Sequence, residues 1–322
     1  MAIPSISWSY VWTEFEEGGY SFYYPGTGDE VSLTGCVYSG SVTLPAEILH
    51  DGVKYKITSV SGFGDNTALS SVVIPNGVIL IADNAFAGCT NLSSVSLPSA
   101  SLGEIGSSAF KNCTKLTSIS LPSSLTTIGS EAFAGTGLTT ISIPNSVTEM
   151  NSTAFSGCAN LASVTIGSGL TKIESGMFQN CCKIQNLVIP SNITSIESSA
   201  LSGCSGLVSL TIPESVEAFG AYVFVDCTGK LTINCNIPNP PSYDMGVFHG
   251  SQFTEIVIGN QVKYIGWNAI GRDANSTLTS LTIGNNVETI GNGAFHDCTG
   301  LTTVIIPNSV KTMGSGIFRG CI

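Results

Sequence analysis

Thiols are the reactive groups this chain repeats most regularly. Of its eleven cysteines, eight stand in one recurring context, the last position of A-F-x-G-C: Cys89, Cys113, Cys158, Cys181, Cys204, Cys227, Cys298 and Cys321. Thiols can pair as disulfides, bind metal or attack a substrate, and spacing decides among these. Zinc sites take cysteines in short-spaced pairs, but no C-x-x-C occurs here and Cys181-Cys182 is too tight. Copies of one slot in a stack of coils project in parallel, about 4.8 Å apart. A disulfide needs Cβ atoms converging to ~3.8 Å. The expected state is therefore a ladder of buried free thiols, each a small hydrophobe and weak donor. Thr136 fills the slot in the third repeat, which a passive packing position tolerates.

The other groups capable of chemistry are scattered. His50, His249 and His296 lie in unlike contexts, so structural or solvated roles are expected. No G-x-S-x-G, H-E-x-x-H, phosphate-binding loop or dinucleotide fingerprint is present, and nothing marks out a carboxylate pair for hydrolysis. The chain reads as a non-enzyme, with no catalytic residues, no cofactor and no metal.

The elements that carry these groups come from one unit, Leu138–Asn160, LTTISIPNSVTEMNSTAFSGCAN. Its copies begin at Leu69, Leu92, Leu116, Leu138, Leu161, Ile184, Leu207, Lys230, Phe253, Leu278 and Leu301, at steps of 22 to 25 residues. A near-constant period of this size marks a solenoid, which overrides a length-based prior of two domains. Within the unit, Ile141 and Ile143 alternate with Thr140 and Ser142, giving a short strand with its isoleucines inward. Pro144 ends the strand where a missing N–H does least harm. Val147 and Met150 return to the core. Ser152-Thr153-Ala154-Phe155 is read as a short helical or 3₁₀ turn, which Gly157 ends. The expected fold is an α/β repeat solenoid: a right-handed coil with one parallel β-sheet face and short helical turns opposite.

The consensus L-x-x-I-x-I-P-x-S-V-x-x-I-x-x-x-A-F-x-G-C resembles the BspA-type leucine-rich repeats of bacterial and some protist surface proteins. The block is nearly intact at 138 and little changed at 69, 184, 207 and 301. Val42-Thr43-Leu44-Pro45, followed by Asp51-Gly52-Val53-Lys54-Tyr55-Lys56-Ile57-Thr58-Ser59-Val60, resembles the family's opening unit, with Asp-Gly as a hairpin turn. The resemblance spans about residues 41–322: an opening unit at 41–68, then eleven repeats of about 23 residues over 69–322. It implies a non-enzymatic scaffold for adhesion and protein binding, cell-surface or secreted, engaging host or neighbouring-cell proteins or glycans. It transfers no active site.

Composition limits the partners. Eleven basic against 22 acidic residues give a net charge of -11, which disfavours nucleic acid and anionic membranes. No apolar run approaches the ~20 residues of a bilayer span, so no membrane insertion is expected. The N-terminus, MAIPSISWSY, lacks a secretory signal. Two locations therefore stand open: an extracellular or cell-surface protein seen in mature form, or a cytoplasmic interaction scaffold, which the free thiols suit.

Residues 1–40 depart from the repeat. Trp8, Tyr10, Trp12, Phe15, Tyr20, Phe22, Tyr23 and Tyr24 sit in two alternating runs about Glu16-Glu17-Gly18-Gly19, read as a hairpin. The hairpin is a cap over the first coil or, alternatively, an aromatic ligand platform. At the other end the last repeat stops at Ile322 without a polar cap. That predicts either a longer protein or self-association through the open coil. In the eighth repeat, Asn239-Pro240-Pro241-Ser242-Tyr243-Asp244 replaces the usual turn, and in the ninth Arg272-Asp273-Ala274-Asn275 bulges. Either a rigid spacer or a contact loop fits the first of these.

The outward strand positions form a small, neutral, hydroxyl-rich face: Thr140, Ser142, Ser163, Thr165, Asn186, Val188, Ser209 and Thr211 in four successive repeats. Together with Asn239, Tyr243 and Asp244 they are the candidate surface for a protein or glycan. The face lacks the Tyr, Trp and Arg anchors of strong hot spots. It suits weak multivalent contacts, or is a plain solvated sheet.

Overall fold

A computed structural model describes residues 13–24, 28–240, 246–271 and 277–321. The chain opens with β1 (Thr13–Glu17), β2 (Tyr20–Tyr24), β3 (Glu30–Cys36), β4 (Gly40–Thr43), β5 (Glu47–His50) and β6 (Val53–Val60). β1 and β2 pair antiparallel across a two-residue Gly18-Gly19 turn, so the strand runs on through Glu16 and Glu17, which the sequence reading placed in the loop. Both glycines are left-handed, at φ 56° and 78°, as the favoured two-residue hairpin turn requires. Asp51-Gly52 turns β5 into β6 in the same way. Phe15 stacks on His50 with ring centroids 3.9 Å apart and on Phe22 at 5.2 Å, and Phe22 is fully buried. Trp8, Tyr10, Trp12, Arg272–Asn275 and Ile322 lie outside the described residues.

β3 pairs in parallel with β6, which starts the stack. Eleven coils follow, numbered here by the eleven repeat starts. A front strand runs through most coils: Leu69–Val73 and Ser94–Ser96, then Thr140–Ser142, Ser163–Thr165, Asn186–Val188, Ser209–Ile212, Thr228–Ile233, Gln252–Ile258 and Ser280–Ile283. All pair in parallel, in register one repeat on, as in Ile141 opposite Val164. Alternation does the sorting: Thr140 and Ser142 are exposed while Ile141 is 4% exposed.

The single expected sheet is joined by a second ladder. Two-residue strands at Leu80–Ile81, Glu104–Ile105, Thr127–Ile128 and Glu149–Met150 pair from coil to coil and continue the sheet begun by β6. Two separate ladders of the same kind follow, one of Lys172–Ile173, Ser195–Ile196 and Ala218–Phe219, the other of Tyr264–Ile265, Thr289–Ile290 and Thr312–Met313. This back ladder is built by the second apolar step of the repeat, Val147 to Met150, whose inward side chains are both buried.

The helical turns are corrected outright: the described residues contain no helix. The residue two before the spine aromatic is left-handed in coil after coil: Asn84, Ser108, Glu131 and Thr153 have φ of 54–60°. A non-glycine residue at such φ cannot continue a right-handed helix. The hydrogen bonds show what replaces it. Alternate amides bond within the turn, as Ala85 to Ala82 O and Ala87 to Asn84 O. Those between them donate to the next coil, as Phe86 to Ala109 O and Gly88 to Lys111 O. Sharing donors with the neighbour satisfies the backbone and ties each coil to the next on this side too.

One core runs the length of the stack. Phe63, Phe86, Phe110, Phe133, Phe155 and Phe178 are buried and stack at centroid separations of 5.0–5.9 Å. Leu201 interrupts the spine, which resumes as Phe224–Phe248 and Phe295–Phe318. Beside it stands the thiol ladder, all free. Cys113, Cys158, Cys181 and Cys204 each donate to the phenylalanine carbonyl of the coil before, at 3.1–3.2 Å. Thr136 fills the slot differently: its hydroxyl donates within its own coil, 2.8 Å from Phe133 O, and lies 3.2 Å from Cys158 Sγ. Burial pushes the thiols up, Cys89 to about 11 and Cys113, Cys204 and Cys298 to about 12, so they stay protonated.

Coil eight starts earlier than the Lys230 slot suggests. Ser209 pairs with Lys230, and Leu210 with Leu231. The outward residues matching Ser209 and Thr211 are therefore Lys230 and Thr232, whereas counting from a repeat start at Lys230 would give Thr232 and Asn234. The cause is a shortened connection. Coil seven spends Ser205-Gly206 between Cys204 and Leu207, whereas the strand of coil eight begins at Thr228, next to Cys227. Lys230 meets Glu255 of coil nine at 2.8 Å.

Candidate functional site

The front sheet is not continuous. Ser94–Ser96 and Thr140–Ser142 belong to different sheets, and residues 118–120 of coil three, which run between them, form no strand. Among the described residues, no backbone hydrogen bond joins 118–121 to either neighbour. The nearest front link, Thr139 N to Thr117 O at 3.0 Å, lies just below. The back ladder passes through the same coils unbroken, Glu104 opposite Thr127 and Thr127 opposite Glu149. The spine does likewise, with Phe110 and Phe133 at 5.5 Å. The coils are thus held together behind and parted in front.

Two one-residue changes frame the opening. Coil two has three residues between Pro98 and Leu102, where coil three has two between Pro122 and Leu125. Coil three has one residue between Thr136 and Leu138, where coil two has two between Cys113 and Leu116. Ser101 Oγ is tied back to coil one, 2.8 Å from Val78 O, so the extra length of coil two lies before it. The shortened link of coil three is drawn tight: a Cβ on Gly137 would stand 2.2 Å from Thr114 O, so only glycine fits. Drawing coils three and four together below the strand, while lengthening coil two above it, leaves the strands out of register for pairing.

The result is a cleft of about 580 Å³. Its rim carries hydroxyls from Ser93, Ser94, Ser118, Ser120, Ser123, Thr140 and Ser142, and no charged residue lines it. Val95, Ile119 and Leu121 line it as well and are only half-buried, whereas their counterparts Ile141, Leu187 and Leu210 are 2–4% exposed. Such a surface offers hydroxyl donors and acceptors, unmade main-chain groups and modest apolar contact. It presents no nucleophile with a base, and the three histidines lie elsewhere.

The expected surface residues divide into three groups. Thr140 and Ser142 line the cleft. Ser163, Thr165, Asn186, Val188, Ser209 and Thr211 are exposed on the paired strands beyond it, Val188 at 77%. Ser209 Oγ donates to Asn186 Oδ1 at 3.2 Å, bridging two coils along that strip. Asn239 is remote from both. Its Oδ1 accepts from the Trp267 amide at 3.0 Å and from the Tyr264 hydroxyl at 2.6 Å, so it braces the coil-eight loop against coil nine. Tyr243 and Asp244 lie outside the described residues. The sequence reading missed Ser94, Ser118, Ser120, Ile119 and Leu121 as a site. The signal was present as a step of 24 residues followed by one of 22, against 23 in most other repeats.

A model of the BspA type leucine rich repeat region matches six copies, over residues 56–181, 126–243, 171–275 and 273–322. Similar solved structures include a leucine-rich repeat protein from Bacteroides ovatus, 24% identical, covering 96% of this chain and 92% of its own, at a TM-score of 0.56. A leucine-rich cell surface protein from Faecalibacterium prausnitzii is 21% identical, with 96% and 86% covered and a TM-score of 0.53. A leucine-rich repeat protein of T. pallidum is 32% identical over 67% of this chain and 89% of its own, at 0.51. No curated protein matches the chain.

Proposed function

The chain belongs to the BspA type leucine-rich repeat family, and from that premise we propose that it is a non-enzymatic adhesion scaffold that grips an uncharged protein segment or glycan in the cleft of coils two to four. Proteins of this repeat family are generally protein-binding, surface-associated scaffolds. The observation that carries the reading is the parted front sheet: a concavity with a hydroxyl rim, half-exposed aliphatic side chains and unpaired backbone. A neutral ligand rich in hydroxyls or amides matches that lining, and the strip from Ser163 to Thr211 extends the contact. Display at a cell surface, or release from it, suits a rigid binding face of this kind and the description of the Faecalibacterium relative.

The test is an array of extracellular-matrix proteins and glycans probed with the full chain, then with S120R in the cleft and T165R on the paired strip. Binding abolished by S120R and reduced less by T165R supports the cleft. Binding indifferent to S120R, or a blank array with intact cells also unbound, contradicts it.

A further inference from the structure

A second concavity lies on the turn side of coils nine to eleven, away from the front sheet. It measures about 310 Å³ and is bounded by Trp267, Asn268, Asn292, His296, Ser315 and Arg319. It arises from the left-handed slot two residues before the spine. That slot holds Asn268, Gly293 and Gly316 in these coils, with φ of 45°, 60° and 62°. Only here do two successive coils carry glycine in the slot, where others carry Glu131, Thr153 or Tyr222. A Cβ on Gly293 would fall 2.4 Å from Asn268 Oδ1, so the glycine leaves the space beside that amide open.

The polar groups around this notch are unfinished. Asn268 is 7% exposed, yet its Nδ2 has no hydrogen-bond partner within the protein, and neither does His296 Nδ1. Asp297 Oδ2 is 3.1 Å from that Nδ1 but out of line for a hydrogen bond. A buried donor left unmade is costly, and an acceptor placed there recovers the loss. Arg319 is exposed and makes no ion pair among the described residues. Among the described residues no carboxylate lines the notch itself, Asp297 standing behind His296, in a chain of net charge -11.

We infer that this notch binds a small carboxylate that also carries hydroxyls, the class of the acidic monosaccharides. The Arg319 guanidinium offers the forked geometry that carboxylates fit. Asn268 Nδ2 lies closed off beneath the surface, and a turn of the amide presents this donor to an acceptor oxygen; Ser315 can bond a hydroxyl, and Trp267 bounds one side. A volume near the low end for ligand sites suits one sugar ring. The site is independent of the front cleft, and either can fail alone.

The experiment titrates the full chain with glucuronate, followed by tryptophan fluorescence and saturation-transfer NMR, with glucose and inorganic phosphate as comparators. Saturable glucuronate binding is expected, about tenfold tighter than either comparator, since the charge-assisted fork and the hydroxyl contacts must both be met. R319Q, on an exposed side chain, loses about tenfold with its thermal midpoint unchanged. N268S weakens binding by a smaller factor. Glucose or phosphate binding as tightly as glucuronate overturns the assignment, as does no saturable binding, or an R319Q that binds like the parent chain.

Discussion

Coils four to seven and coils two to three are built from the same parts and differ on one face. In both, spine phenylalanines stack at 5.3–5.9 Å as far as Phe178, before Leu201 of coil six, and back strands pair through coils two to four and again through coils five to seven, with Glu149–Met150 and Lys172–Ile173 in separate sheets. In coils four to seven the front strands also pair, and Ile141, Leu187 and Leu210 sink to 2–4% exposure. In coils two and three the front parts, and Val95, Ile119 and Leu121 are left half-buried. What separates the regions is one added residue before Ser101 and one lost near Gly137. A solenoid coil is held from several sides, so a site can be opened on one side while the others keep the stack intact. Individuality is written here in the lengths of connections, not in the identities of the repeated residues.

The interior shared by both regions gives the largest expected effects. Phe133→Ala, in the parted coil three, removes a fully buried ring between two stacked neighbours and is expected to cost about 3–5 kcal/mol, read as a lower urea midpoint. Phe155→Ala in coil four should cost a similar amount. A much smaller loss in coil three would mean that the opening reaches the core.

Alkali attacks the shared ladder next. The thiols of Cys113, Cys204 and Cys298 sit near 12 when folded against an ordinary 9 when exposed. A raised folded value means that the unfolded chain releases these protons first. Their contribution is therefore complete below pH 9 and is lost as pH rises from 9 toward 12. The denaturant midpoint should fall across that window. Below pH 9, a thiol-alkylating reagent should modify exposed Cys182 quickly, half-buried Cys36 and Cys321 more slowly, and the buried ladder only on unfolding.

Restoring the regular connection sharpens the comparison more gently. Deleting Ala100 returns coil two to the length of coil three and should improve front pairing, changing stability by about 1 kcal/mol or less while weakening any ligand of the cleft. Smallest of all, Thr165→Ala on the exposed, paired strip should lie within about 0.5 kcal/mol of the parent.

Much of this was legible beforehand. The period announces a stack, alternation in Thr140–Ile143 sets the front strand, and the single-slot cysteines foretell free thiols with a hydroxyl substitute at Thr136. The helical turns were misread because Ser152-Thr153-Ala154-Phe155 has the residues of a capped turn, while the left-handed state of Thr153 is imposed by donors shared with the next coil. The back ladder was missed because Val147 to Met150 shows as apolar spacing without the alternation of a longer strand. In coil eight, Lys230 looked like the leucine slot because fixed spacing was assumed where the connection is shorter. The cleft lay in the 24 and 22 steps, whose effect depends on which coil each residue is tied to, and that is a matter of tertiary bonding. The notch at Asn268 needed three coils in register before two glycines could read as a space.

The central claim is that the front sheet is parted at coil three while the back is closed. Native-state hydrogen exchange resolved by NMR measures this directly. The account predicts that the amides of 118–121 exchange far faster than those of Val164 and Leu187 in the paired strands, while Ile128 and Gly129 at the back of the same coil stay protected. Equal protection of 118–121 and the paired front strands would contradict it.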